Sequence, residues 1–296
     1  MPGVSTDSIH AAAQRMQGIK LSQKLLEQAR VYRKCRNPLD TLCWRLVRNF
    51  KAIVAYDGSE FAGWQVQPDR KTIQGELSNA LLELTGETVL PQGSGRTDAG
   101  VHALAQVVSF VLQAPIPSPN LWRALNHRLP SSIRVMSLDE VSSDFHARHS
   151  AREKTYRYRI FRGEICPPFL ARYVYHHPYP LDETCMARSA EMLVGEHDFT
   201  SFAAVDPELR DSPEPRSNVR TIFASTLRRE SDELLYEVRG NGFLHHMVRN
   251  IVGTLLWVAK NSLPPEEISK VLSAKDRSAA AATAPPQGLY LVSVKY

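Results

Sequence analysis

The chain has 296 residues, 43% of them hydrophobic and 23% charged, with 36 Lys and Arg against 31 Asp and Glu. That composition excludes collagen, coiled coil and wholesale disorder, and the most apolar run, Ile251 to Ala259, is far short of the roughly 20 residues a membrane span needs. The net charge of +5 is unevenly placed: residues 1–48 carry nine basic and three acidic side chains, so the rest of the chain is slightly acidic and any basic surface there arises by clustering.

Residues 1–48 form a basic extension. Its stretch from Gln14 to Arg36 has helical character but too few apolar residues to offset ordering entropy, so it is expected to be poorly ordered and dispensable. A nucleic-acid-binding arm, an organelle-targeting presequence and an early start codon are the other readings. Next, Phe50, Ala52, Val54 and Tyr56 alternate as a strand, and Ile73, Leu77, Ala80, Leu81 and Leu84 follow helical spacing up to Gly86. A strand over Val101–Leu112, a short helix after Pro119 and a strand over Ile133–Leu138 complete a first half, 49–145. The second half, 146–296, repeats the rhythm. Lys154–Phe161 is a strand, and Asp182 caps a helix that carries Met186, Ala190, Leu193 and Val194 and ends at Gly195. Strands follow at Thr221–Arg228 and Leu234–Gly240, then an amphipathic helix over Phe243–Lys260, a short helix opened by Pro265 and a last strand over Leu289–Tyr296. Strands mixed with helices, often consecutive, give an α+β fold with a largely antiparallel sheet. The loop over 204–218 is polar and expected to be surface-exposed and mobile.

The four cysteines, Cys35, Cys43, Cys166 and Cys185, lack any C-x-x-C spacing. They fit free thiols in a reducing cytoplasm, with no disulfide and no zinc site.

Four stretches carry chemistry. In Gly93-Ser94-Gly95-Arg96-Thr97-Asp98-Ala99-Gly100-Val101-His102, small residues surround one carboxylate on a tight turn, a candidate nucleophile or base. The bland alternative is an aspartate capping its own turn. No Gly-Lys-Ser/Thr ends the loop, so it is not a phosphate loop. In Lys154-Thr155-Tyr156-Arg157-Tyr158-Arg159 the tyrosines share one strand face and the arginines the other, which suits base stacking and phosphate contact; the alternative is a strand with its tyrosines in the core. In Asn241 to Asn250, His245 and Arg249 stand four apart on the predicted helix, while adjacent His245 and His246 are expected to diverge, which argues against a metal. Asp144-Phe145-His146-Ala147-Arg148-His149 places Arg and His between the halves, where a cleft is expected.

Together these stretches resemble the TruA family of tRNA pseudouridine synthases. Ser94 to Ala103 is similar to its catalytic motif, and Asp144 to Arg148, Tyr156-Arg157-Tyr158 and Phe243 to Asn250 follow in the family's order. So do Tyr56-Asp57-Gly58, Phe61 to Gln65 and Gly288-Leu289-Tyr290, and the likeness runs from about Phe50 to Tyr296. It implies two ferredoxin-like or RRM-like halves facing a central RNA-binding cleft. It also implies a homodimer, and isomerisation of uridine to pseudouridine at positions 38, 39 and 40 of the tRNA anticodon stem-loop without cofactor or metal. By the same resemblance Asp98 is the catalytic carboxylate, Arg249 pairs with it, Tyr156 stacks on the target uracil, and Arg96 fills the space left by the flipped nucleotide or holds its phosphate. His102, His146, Arg148 and His245 are weaker candidates for RNA contact. The rival readings are a catalytically dead RNA-binding module and a nuclease, the latter disfavoured because this loop offers no second carboxylate for a metal.

Overall fold

The computed structural model describes residues 47–205 and 217–296. Residues 1–46 of the predicted extension and 206–216 of the predicted loop lie outside the described residues, while Arg48, counted with the extension in the sequence, opens the first strand.

In the first half, β1 (Arg48–Tyr56) buries Phe50, Ala52, Val54 and Tyr56, the alternate positions of the sequence pattern. Helix α1 (Ile73–Thr85) starts where the Thr72 hydroxyl accepts the Gly75 N–H and stops at Gly86, which adopts φ 73°. A two-residue β2 (Gln92–Gly93) precedes the long β3 (His102–Leu112), and α2 (Ser118–Arg128) and β4 (Ile133–Val141) follow.

The second half opens on β5 (Glu153–Phe161), followed by a one-turn helix α3 (Pro168–Ala171) and β6 (Tyr175–His176). Helix α4 (Glu183–Glu191) is capped by Asp182, as the sequence predicts, but ends three residues before Val194. The chain then turns through Gly195 (φ 117°) into β7 (Gly195–Asp198), a strand too short to leave an alternation signal. Then come β8 (Val219–Glu230), β9 (Glu233–Gly240), α5 (Met247–Lys260), α6 (Glu267–Ala274) and β10 (Leu289–Lys295). Helix α5 begins four residues later than the apolar stripe suggests, because His246 sits in the left-handed region (φ 57°) and breaks the helical path.

The strands of both halves join one sheet in the order β4-β1-β3-β10-β5-β9-β8-β7, with β2 added on β3 and β6 on β5. The pairings are antiparallel except β3 with β10 and β5 with β6. The fold is thus α+β with a largely antiparallel sheet. Strand β10 seals the join: Tyr290 and Leu291 pair with His102 and Ala103 on one side, and Leu289 to Lys295 pair with β5 on the other.

Over α5 lies a strap, residues 277–285. Ala281 N–H donates to Thr254 Oγ1, the Thr283 hydroxyl meets Asn250 Oδ1 at 2.7 Å, and the Ala284 N–H donates to the Arg249 carbonyl. Gly253 permits the close approach, since a Cβ there would stand 1.9 Å from the Ala282 carbonyl oxygen. Gly253→Ala is therefore expected to cost about 3 kcal/mol or more of stability, read as a lowered denaturation midpoint. An unchanged midpoint would show that the strap shifts freely.

Candidate active site

The loop from Ser94 to Val101 is tied at both ends and bare in the middle. Ser94 N–H donates to the Val107 carbonyl at 2.8 Å, the Ser94 hydroxyl meets Gln106 Oε1 at 2.6 Å, and Gln106 Nε2 donates to the Gly95 carbonyl at 2.8 Å. Buried Thr97 bonds the Tyr56 hydroxyl at 2.8 Å, and the Thr97 carbonyl accepts the Trp64 N–H at 3.0 Å. Gly63, at φ 96°, lets the 61–64 turn press on the loop: a Cβ there would lie 2.7 Å from the Thr97 carbonyl oxygen. These anchors use the backbone on either side of Asp98 and leave its carboxylate free to face the second half of the chain. The turn-cap alternative for Asp98 does not hold, because among the described residues no backbone N–H bonds to its carboxylate.

What the carboxylate meets comes from the start of α5. Arg249 Nη1 donates to Asp98 Oδ2 at 2.8 Å, while Arg249 Nε donates to the Ala284 carbonyl of the strap at 2.8 Å. A planar guanidinium held at two points cannot swing, so the carboxylate it grips is fixed as well. His246 Nε2 lies 3.4 Å from Asp98 Oδ2 and His245 Nε2 3.8 Å from Oδ1. The two histidines do not diverge. The left-handed backbone at His246 turns both rings to the same side, with centroids 4.0 Å apart. Asp98, His245 and His246 thus offer three metal-ligating atoms within 4.8 Å of one another, although the Arg249 charge on the same carboxylate opposes a cation. Burial pushes His246 below the ordinary histidine range despite the opposing pull of Asp98.

Tyr156 lies on the opposite wall of the same pocket, which Arg96, Thr97, Asp98, Phe243 and Arg249 also line. Its ring packs edge-on against Phe243 at 5.0 Å. Burial drives its phenol pKa well above the usual value, and Tyr56 and Asp98 push the same way. The hydroxyl stays protonated at neutral pH, so it can take a proton only by passing one on. Tyr156→Phe is expected to retain RNA binding and turn over poorly, whereas Tyr156→Leu loses binding too, since a stacked base contributes about 1–3 kcal/mol. Equal, near-wild-type single-turnover rates in both variants would remove Tyr156 from the chemistry.

The tRNA pseudouridine synthase family profile matches residues 52–150 and 189–296, which hold Asp98 and Arg249 but not Tyr156. The chain belongs to that family. A tRNA pseudouridine synthase A of Solibacter usitatus is 54% identical over 250 residues, 84% of this chain and 100% of that protein. Those of Caldicellulosiruptor saccharolyticus (44% identity, 84% of this chain, 100% of that protein) and Halalkalibacterium halodurans (46%, 80% and 88%) are also similar. The protein is a pseudouridine synthase, an isomerase.

Against that identity, the other residues singled out in the sequence fall into two groups. Arg96 is exposed and lines the pocket, and His245 lies beside Asp98, with Nε2 3.8 Å from Oδ1 and Nδ1 3.2 Å from the Val205 carbonyl. His146 and Arg148 lie on the 144–149 loop, which Ala147 pins to the sheet: its N–H donates to Ser109 Oγ, and its carbonyl accepts the Tyr296 hydroxyl. That leaves Arg148 exposed, with His146 Nδ1 accepting the Arg148 N–H. His102 is different. It is 1% exposed, stacked on Tyr290 at 4.8 Å and accepting the Gly58 N–H at Nδ1. Burial lowers its pKa, and it serves the packing behind the loop rather than contact with RNA. The charges of Arg157 and Arg159 are balanced locally, because Glu237 and Glu233 on the neighbouring strand β9 pair with them at 2.8 and 2.6 Å. Sequence reasoning missed the Ala284 carbonyl that orients Arg249; a backbone oxygen on an irregular strap leaves no signal in residue type.

Proposed function

We propose that the protein converts uridine to pseudouridine at positions 38, 39 and 40 in the anticodon stem-loop of tRNA, with Asp98 as the catalytic carboxylate. The observation that carries this reading is the Asp98–Arg249 pair, fixed by the strap and facing Tyr156 across a pocket shared by both halves of the chain. The reaction breaks the bond from ribose C1′ to uracil N1, turns the base, and joins C1′ to C5. The proton lost from C5 is balanced by one gained at N1, so no oxidant, reductant or outside group enters. A single oriented carboxylate beside a stacking ring suits that sequence. Asp98 meets the ribose or the base, Tyr156 holds the uracil face and relays the C5 proton, and Arg96 takes the place of the flipped nucleotide or binds its phosphate. His245 borders the same site. The reaction runs without cofactor or metal, and the enzyme works as a homodimer in the cytoplasm, each tRNA touching both subunits.

Pseudouridine mapping of tRNA incubated with the purified protein tests the reading. Modification at the three positions, unaffected by EDTA, supports it. Absence of pseudouridine in a folded, tRNA-binding protein would return the chain to an RNA-binding role, and EDTA-sensitive strand cleavage would make it a nuclease.

A further inference from the structure

Next to the pocket lies a cluster of positive charge that the isomerisation does not use. Lys154 is the second residue of β5 and shares a strand face with Tyr156, which turns it inward beneath the catalytic loop. Its ammonium donates to the Ser94 carbonyl at 2.6 Å, and a Cβ on Gly95 would stand 3.1 Å from Nζ. Arg148, from the 144–149 loop, and Arg220, on β8, lie near enough for their charges to act on Lys154, whereas no carboxylate among the described residues does so. Among the described residues Arg220 bonds carbonyls, those of Ser217 and Val219, and its side chain runs 3.5 Å from the place of a Cβ on Gly242.

The contrast with the rest of the sheet is informative. Arg157, Arg159, Arg162 and Arg239 each meet a glutamate within 3.3 Å. Lys154, Arg148 and Arg220 meet none among the described residues. An ammonium has three N–H donors, and Ser94 takes one. Mutually repelling cations with donors to spare, two half-buried and Arg148 exposed, are complementary to a tetrahedral anion. Their position against Gly95, beside Arg96 and three residues before Asp98, sets that anion next to the reacting nucleotide.

We propose that Lys154, Arg148 and Arg220 form a binding subsite for a backbone phosphate of the RNA strand that carries the target uridine, and that Lys154 links this phosphate to the catalytic loop through the Ser94 carbonyl. The inference rests on the reading of the substrate as RNA. Lys154 is a positioning residue: it touches the loop and the phosphate, not the reacting atoms.

A pH signature follows. Burial, with the charges of Arg148 and Arg220 adding to it, lowers Lys154 to about 8. The groups that face it are Arg148 from the preceding loop, Arg220 from β8, the Ser94 carbonyl and Gly95 from the catalytic loop, Tyr156 on its own strand, and Gly240 and Val294 opposite it on β9 and β10. A bound phosphate favours the charged lysine, so above the pKa of the free protein each binding event takes up a proton and affinity falls as pH rises.

The experiment measures tRNA affinity between pH 7 and 9 at several salt concentrations for the wild type, Lys154→Arg, Lys154→Met and Arg148→Gln, with pseudouridine yield on the same tRNA. Wild-type affinity is expected to fall about threefold or more relative to Lys154→Arg across that range, because arginine keeps its charge. Lys154→Met is expected to lose the pH dependence and to lower the salt slope by about one, and Arg148→Gln, a change at an exposed position, to lower it by about one as well. Wild-type pH dependence in Lys154→Arg, or unchanged salt slopes in both Lys154→Met and Arg148→Gln, would reduce Lys154 to a prop for the loop and overturn the subsite. If Lys154→Met does not fold, the Arg148→Gln slope and the Lys154→Arg profile decide. Wild-type protein that makes no pseudouridine refutes the functional reading instead, so the two failures are told apart.

Discussion

Asp98→Asn is expected to abolish pseudouridine formation, with turnover falling by about 10⁴-fold or more, as when a reacting side chain is removed from other enzymes. The substitution keeps size and shape. It leaves Arg249 bonded to the Ala284 carbonyl, and the loop anchors at Ser94, Thr97 and Val101 do not involve the carboxylate. Binding of tRNA is therefore expected to persist within a few-fold, and the denaturation midpoint to move little, by no more than the loss of one charged hydrogen bond, about 1–3 kcal/mol. Single-turnover assays with filter binding on the same preparation separate the two quantities. Residual turnover within about 100-fold of wild type, on the scale of losing one assisting group rather than the reacting one, would remove Asp98 from the reacting position.

The second large effect is expected at Arg249. Its Nη1 and Nε act at two points at once, on Asp98 and on the strap. Lysine keeps the charge but is a single point donor and cannot hold both. Arg249→Lys is expected to lower kcat by about 100-fold or more with KM changed far less, because the loss is of orientation at the reacting centre rather than of affinity. Arg249→Met, which also leaves a half-buried carboxylate unpaired, is expected to be worse and to destabilise the fold. A lysine variant with wild-type kcat would mean that charge alone suffices and that the strap does not matter to the chemistry.

The regular elements could be read from the chain because their burial follows a simple period. The strand from Phe50 to Tyr56, the helix from Ile73 to Gly86 and the Asp182 cap all stand where alternation, helical spacing and capping chemistry place them. Elements set by tertiary contact could not be read this way. The two-residue strands at Gln92–Gly93 and Tyr175–His176 exist only because a neighbour pairs with them. Within the site, Asp98, Tyr156 and Arg249 stood out as residue types in unusual company, and the fold brings them to one pocket. His245 and His246 were misjudged for one physical reason: a helical spacing argument was applied to a stretch that a left-handed residue takes out of the helix. His102 sat in the motif but belongs to the packing behind it. Charge patterning could not show that Arg157 and Arg159 are paired in place, since the glutamates that balance them lie 80 and 74 residues away in sequence.

Strand β10 gives the enzyme an order of assembly. The loop bearing Asp98 leads into β3, Tyr156 is on β5, and these two strands do not pair with each other; each is bonded to β10, which comes after every other described strand. Either half can form its local hairpins early, because those contacts close short loops, but the wall bearing Tyr156 and the wall bearing Asp98 meet only when a distant segment threads between them. Until β10 is in place, the pocket is in two pieces. The closing of a seam, rather than the folding of a domain, is then the step that completes the pocket.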